Sequence, residues 1–127
     1  MEIQCRMINP NKVIIKDRKP GDMFYADWLV DKNNDVRMSS KQYNRDWLGK
    51  REPLVIILPN GQSFMVDSYY RSVETNPEKE GWTVTGKAPN ITLSPSINAE
   101  SPSNHKLGYH GWLRDGILSA DLEGRKY

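Results

Sequence analysis

Short runs of β-branched and aromatic residues alternate along this chain with Gly, Pro and Asn punctuation. That pattern predicts a protein built of many short strands. Glu2 to Met7 and Lys12 to Lys16 flank Ile8-Asn9-Pro10-Asn11, a turn composition, and read as an opening hairpin. Pro20-Gly21 marks a break, after which Asp22 to Val30 reads as a strand with large side chains on both faces. Further on, Tyr43, Trp47 and Leu48 recur at helical spacing behind a Ser39 or Ser40 cap and ahead of Gly49, which predicts a short helix. Pro53 to Leu58 and Gln62 to Val66 face each other across Pro59-Asn60-Gly61, whose Asn-Gly pair favours the positive φ angles of a hairpin turn. Trp82 to Thr85, Ile91 to Leu93, Leu107 to Leu113 and Ile117-Leu118 read as four more strands, with 98–106 as a loop long enough to act as a flap. The expected architecture is α+β: mainly antiparallel β-sheet with one or two short helices, in a single domain over 1–127 whose β-rich, motif-bearing part is 81–127.

Composition narrows the function classes. With 127 residues and 37% hydrophobic positions, the core is thin for the surface that must be ordered, and self-association is one way to make up the deficit. A formal charge of +2, from 18 basic and 16 acidic side chains spread along the chain, offers no stripe for duplex nucleic acid. Cys5 cannot form an internal disulfide, and with only His105 and His110 beside it there is no spacing for a structural zinc. A reducing, cytoplasmic setting is expected. No apolar run has the length to span a bilayer, so no membrane partner is expected either.

The last third concentrates the chemistry. Trp82 and Trp112 can form the wall against which a flat heterocycle stacks, or can pack as core residues with their N–H groups satisfied. Arg114-Asp115-Gly116 offers a guanidinium for phosphate and a carboxylate for a ribose hydroxyl, yet Asp-Gly is also a hairpin turn pair. His110 suits a general base, a donor to phosphate or a half-buried structural role, and it has no nucleophile motif beside it in sequence. Asn90 and Ser96 sit next to prolines, which stiffen their backbone, and serve equally as ligand contacts or turn caps. Arg51 belongs to a small basic cluster with Arg45 and Lys50, which can meet a ligand or complement a helix end. The phosphate-loop, dinucleotide, nucleophile-elbow and zinc-protease signatures are absent from the sequence.

Gly81-Trp82-Thr83-Val84-Thr85-Gly86, Pro89-Asn90-Ile91-Thr92 through Ser94-Pro95-Ser96-Ile97, and Tyr109-His110-Gly111-Trp112-Leu113 with Asp115-Gly116 together resemble a family of small proteins encoded by phages and prophages. The resemblance is clearest over 81–127 and weaker over 20–70. Within that group the chain is similar to the anti-Thoeris sponge proteins, which sequester cyclic ADP-ribose-type signals and, in some members, the cyclic trinucleotides of CBASS defence. The resemblance implies a binding protein and not an enzyme, without catalytic residues, cofactor or metal. It also implies a homo-oligomer of up to six subunits in the host cell cytoplasm, with cyclic nucleotide second messengers as partners. On that reading Trp82 stacks on the base and Asn90 and Asp115 bond base or ribose. Arg114 and His110 meet the pyrophosphate, and Ser96 and Arg51 complete the site. Two rivals stand beside it: a small phosphodiesterase using His110 with Asp115 to orient it, and a structural or accessory phage protein whose motifs serve only turns.

Overall fold

The computed structural model of the chain describes residues 2–26, 54–66, 83–94, 96–99 and 107–127. Eleven strands occur among them: β1 (Ile3–Gln4), β2 (Arg6–Met7), β3 (Asp22–Tyr25), β4 (Leu54–Ile57), β5 (Ser63–Met65), β6 (Thr83–Lys87), β7 (Asn90–Ser94), β8 (Ile97–Ala99), β9 (Tyr109–Gly111), β10 (Leu113–Arg114) and β11 (Ile117–Leu118). Helix is confined to a 3₁₀ turn at Ile15–Asp17 among the described residues. The molecule is therefore all-β over those residues, and the α+β expectation is corrected to that extent. The helix expected behind Ser39 or Ser40 lies outside the described residues.

The first hairpin expected from the sequence does not form. The Asn9 side chain accepts from Asn11 N–H at 2.9 Å and its carbonyl accepts from Lys12 and Val13, which curls the chain. Arg18 then holds the curl closed by donating to the carbonyls of Val13 and Pro10. Lys12 to Lys16 is thereby kept out of any ladder. β1 instead pairs antiparallel with β11, and β2 pairs parallel with β3. The switch between these sheets falls at Cys5, whose N–H donates to Gly116.

The Pro59-Asn60-Gly61 hairpin does form, with Val55, Ile56 and Ile57 opposite Met65, Phe64 and Ser63. Its turn differs in detail from the sequence expectation. Gly61 N–H bonds Leu58 O, Leu58 N–H bonds Gln62 O, and Gly61 alone of the turn takes a positive φ, +87°. That is a type I turn closed by a glycine bulge, so Asn60 stays at negative φ and its amide spans to Leu107 O.

β4 is buried at every position, because it has a core on each side. Leu54 and Ile56 join Met23, Leu93, Ile97, Tyr109, Leu113 and Leu118 in the main core. Val55 and Ile57 meet Phe24, Ala26 and Ile8 in a smaller cluster. Each fully buried aliphatic side chain contributes about 1.5–3 kcal/mol, so the main cluster carries most of the fold. The sheets take the order β2-β3-β4-β5, β1-β11-β10, β6-β7 and β8-β9. Gly116 N–H donates to Ile91 O, which ties the β10–β11 turn to β7.

An ion pair between an exposed arginine and a buried carboxylate supports the N-terminal side. Asp22 is 1% exposed, and accepts from Arg6 Nε at 2.6 Å and Lys19 N–H at 2.9 Å. Burial opposes its ionisation, but the bonds from Arg6 and Lys19 outweigh that and hold the carboxyl below its ordinary range.

Candidate functional site

β8 and β9 pair with Ile97 opposite Gly111, Asn98 opposite His110 and Ala99 opposite Tyr109. Ile97, Ala99, Tyr109 and Gly111 are buried, whereas Asn98 and His110 face the other way. This is the two-residue alternation of a strand with one face in the core. Ser96, one residue before β8, shares the outer face with His110, and its Oγ lies 3.3 Å from His110 Nε2. Diagonal neighbours on one face of an antiparallel pair are within reach of long side chains, and strand pairing has here joined two residues fourteen positions apart.

The β9 strand is held from beneath and from its free edge. Tyr109 is fully buried and donates its hydroxyl to Ser119 O at 2.7 Å. Its ring passes under Gly111, where a side chain would collide with it. On the edge, Leu122 N–H donates to His110 O at 2.7 Å and His110 N–H donates to Asp121 Oδ2 at 2.8 Å. Both backbone polar groups of His110 are thereby satisfied by the segment that follows β11. Trp112 is treated likewise: its N–H donates to Ser119 Oγ and its O accepts from Ser119 N–H, both at 2.9 Å.

Asp121 is the hub of that segment. It also accepts from Glu123 N–H, Arg125 N–H, Arg125 Nε and the Tyr127 hydroxyl. Burial would push its carboxyl up. The Arg125 guanidinium and the three backbone donors outweigh this and hold it far below the ordinary carboxylate range. The Tyr127 hydroxyl also donates to Gly108 O. Burial, and the bond to the Asp121 carboxylate, push that phenol up to about 12.

The remaining sequence-expected residues separate from this pair. Trp82 and Arg51 lie outside the described residues. Asn90 opens β7 and is exposed, with its side-chain oxygen close beneath Gly116. Asp115 sits in the β10–β11 turn at φ +47°, and its N–H donates to Thr92 Oγ1. Asp115-Gly116 does form the β10–β11 turn. The carboxylate bonded to the His110 backbone is Asp121, in place of the Asp115 expected to orient the histidine. Arg114 lies over the Trp112 ring, 4.2 Å from its centroid. Part of the loop expected at 98–106 is strand, since Asn98 and Ala99 belong to β8.

Sequence reasoning did not assign a role to Asp121. The available signal was its place in Asp121-Leu122-Glu123-Gly124, where an Asp can bond the N–H two residues on. It also left Ser96 and His110 as separate ligand contacts, because no local motif joins them. A cavity of about 690 Å³ is lined by Ile3, Pro20, Pro59, Ala120, Asp121 and Tyr127 among others, and by neither Ser96 nor His110. Among the described residues no group of three His, Cys, Asp or Glu side chains is placed to hold a metal ion, and no helix is long and apolar enough to cross a membrane.

Comparison with known proteins adds one finding. Residues 68–120, less than half of the chain, match the model of a family described as the bacterial ubiquitination-like system serine protease, BubE. The matched stretch contains both Ser96 and His110. No curated protein and no solved structure matches the chain. The expectation of a binding protein without catalysis is overturned by this likeness to a protease family. Neither the match nor the geometry bears on capture of cyclic nucleotides or on assembly into hexamers.

Proposed function

We propose that this chain is a serine peptidase in which Ser96 is the nucleophile and His110 the general base. The observation that carries the reading is the 3.3 Å approach of Ser96 Oγ to His110 Nε2. The likeness of 68–120 to a serine protease family supports it independently. A serine hydroxyl is a weak nucleophile until a base accepts its proton, and the required geometry is hydrogen-bond reach, often somewhat long before substrate arrives.

In the reaction, Ser96 Oγ attacks the scissile carbonyl carbon as its proton passes to His110 Nε2. His110 then gives that proton to the departing amine as the C–N bond breaks, leaving an acyl ester on Ser96. Water, deprotonated by His110, attacks the ester carbonyl; the proton returns to Ser96 Oγ and the acid product leaves. To accept at Nε2 the imidazole must carry its proton on Nδ1. The backbone grip on His110 from Asp121 and Leu122 keeps the base from swinging away from Ser96. It does so through the strand, since Asp121 bonds the backbone and not the ring.

A fluorophosphonate probe is expected to add covalently to Ser96, detected by intact mass and located by peptide mapping. Ser96→Ala abolishes labelling, and Ser96→Ala or His110→Ala is expected to lower kcat/KM on a cleaved peptide by at least about a thousandfold. Wild-type protein that takes up no probe and cleaves no peptide, while folded by circular dichroism, would remove the assignment.

A further inference from the structure

The alternation of burial in β9 continues along the chain past the Ser96–His110 pair, through Trp112 and into β10, which belongs to a different sheet. Burial alternates from Tyr109 to Arg114: Tyr109, Gly111 and Leu113 are buried, and His110, Trp112 and Arg114 point to the outer face. Ile97 is opposite Gly111 at the end of the β8–β9 ladder, and Ser96 and Trp112 are the residues next to that last pair on the two segments. Along this segment His110 is two residues before Trp112 and Arg114 two residues after it. The Arg114 guanidinium is held 4.2 Å over the Trp112 ring. Among the described residues no carboxylate forms an ion pair with it.

The direction of the chemistry turns this stripe into a statement about substrate. His110 must deliver its proton to the leaving nitrogen, so the amine half of the substrate departs on the His110 side. The acyl half then extends the other way, over Trp112 toward Arg114. Because the guanidinium is folded back over the Trp112 ring, its charge lies at Trp112 and faces the acyl-side residues nearest the scissile bond. A guanidinium pre-positioned on an aromatic face loses less freedom on pairing and matches a carboxylate in a bidentate way.

We propose, resting on the peptidase reading above, that Arg114 and Trp112 select substrates with an acidic residue two or three positions before the scissile bond. Trp112 holds the Arg114 guanidinium in place, and Arg114 is the cationic anchor for the acidic side chain.

The test is a set of internally quenched peptides carrying Glu, Gln or Lys at those two positions, cleaved by wild type, Arg114→Ala and Arg114→Glu. Ser96→Ala serves as the blank, and fluorophosphonate labelling of Ser96 runs in parallel. Wild type is expected to show a KM roughly tenfold lower for Glu than for Lys peptides, the scale of one charge-assisted contact, with little change in kcat. Arg114→Ala levels the series and Arg114→Glu inverts it. A merely structural role for Arg114 would move all peptides together. Equal wild-type KM values for Glu and Lys peptides, or an unchanged preference in Arg114→Glu, overturn the proposal and leave the peptidase reading standing. Labelling of Ser96 with no acidic peptide cleaved overturns the substrate class alone. No labelling and no cleavage overturn both.

Discussion

A methyl group added at Gly111 would overlap the hydroxyl end of the Tyr109 ring and lie 2.8 Å from Ser119 Oγ. Gly111 is thus glycine because the tyrosine of its own strand crosses beneath it to reach Ser119 O, not because of its φ. Gly111→Ala forces Tyr109 out of that bond and is expected to cost about 3 kcal/mol, the sum of overpacking and a lost buried hydrogen bond. Urea denaturation reads this directly, and an unchanged midpoint would show that the ring has room to move. Gly116 obeys a different constraint: its φ is +74° and a side chain there would press on Pro89 O at 2.7 Å. Of these two glycines, the Asp-Gly turn at 115–116 was legible from residue types alone. The Tyr109–Gly111 contact was not, since two residues of one strand ordinarily point side by side and only the tertiary position of Ser119 draws the ring across.

At the level of elements, the segment after β11 acts as a clasp on β9. Its strength resides in Asp121, whose side chain is fully buried and bonded to Arg125 at 3.0 Å. Because the folded carboxyl is held below its ordinary range, the folded state binds its proton less readily than the unfolded chain does. The stabilisation is complete above the ordinary carboxylate range and is lost as pH falls below about 4 toward the folded value. Thermal melts from pH 7 to pH 2 are expected to show that loss in wild type. Asp121→Asn is expected to be about 2–4 kcal/mol less stable at neutral pH, since its amide cannot accept for every donor that faces it. It should also show a shallower acid slope, the remainder belonging in part to Asp22. A variant with the wild-type slope would place the acid sensitivity elsewhere. Strand periodicity made β4–β5, β6–β7 and β11 readable in advance, whereas the single strand expected over Leu107 to Leu113 is two, β9 and β10, in different sheets. The opening hairpin was misread because Asn9 and Arg18 bond the backbone of 10–18 more favourably than a ladder would.

For the whole molecule, Cys5 reports on the joint between the two larger sheets. It is 3% exposed. Burial pushes its thiol up to about 12, and the Asp22 charge adds to this against a bond with the Leu118 backbone. A thiol so placed has almost no thiolate at neutral pH. Iodoacetamide at pH 8 is expected to alkylate the native protein at least about a hundredfold more slowly than the urea-unfolded chain, with the rate following global opening. Rapid native alkylation would mean that β1 and β2 part without unfolding the core. The alternation of apolar and polar residues with Gly, Pro and Asn punctuation determined by itself that this chain forms many short antiparallel strands, because side-chain period and turn chemistry are local properties. It also singled out Ser96, His110, Arg114 and Asp115 as polar groups on or beside those strands. Only the tertiary structure decided which of them meet. The β8–β9 register brings Ser96 to His110, the 121–127 clasp holds that strand, and Asp115 is left to a turn. Register and clasp depend on contacts between segments far apart in the chain, and no local pattern encodes a distance across them.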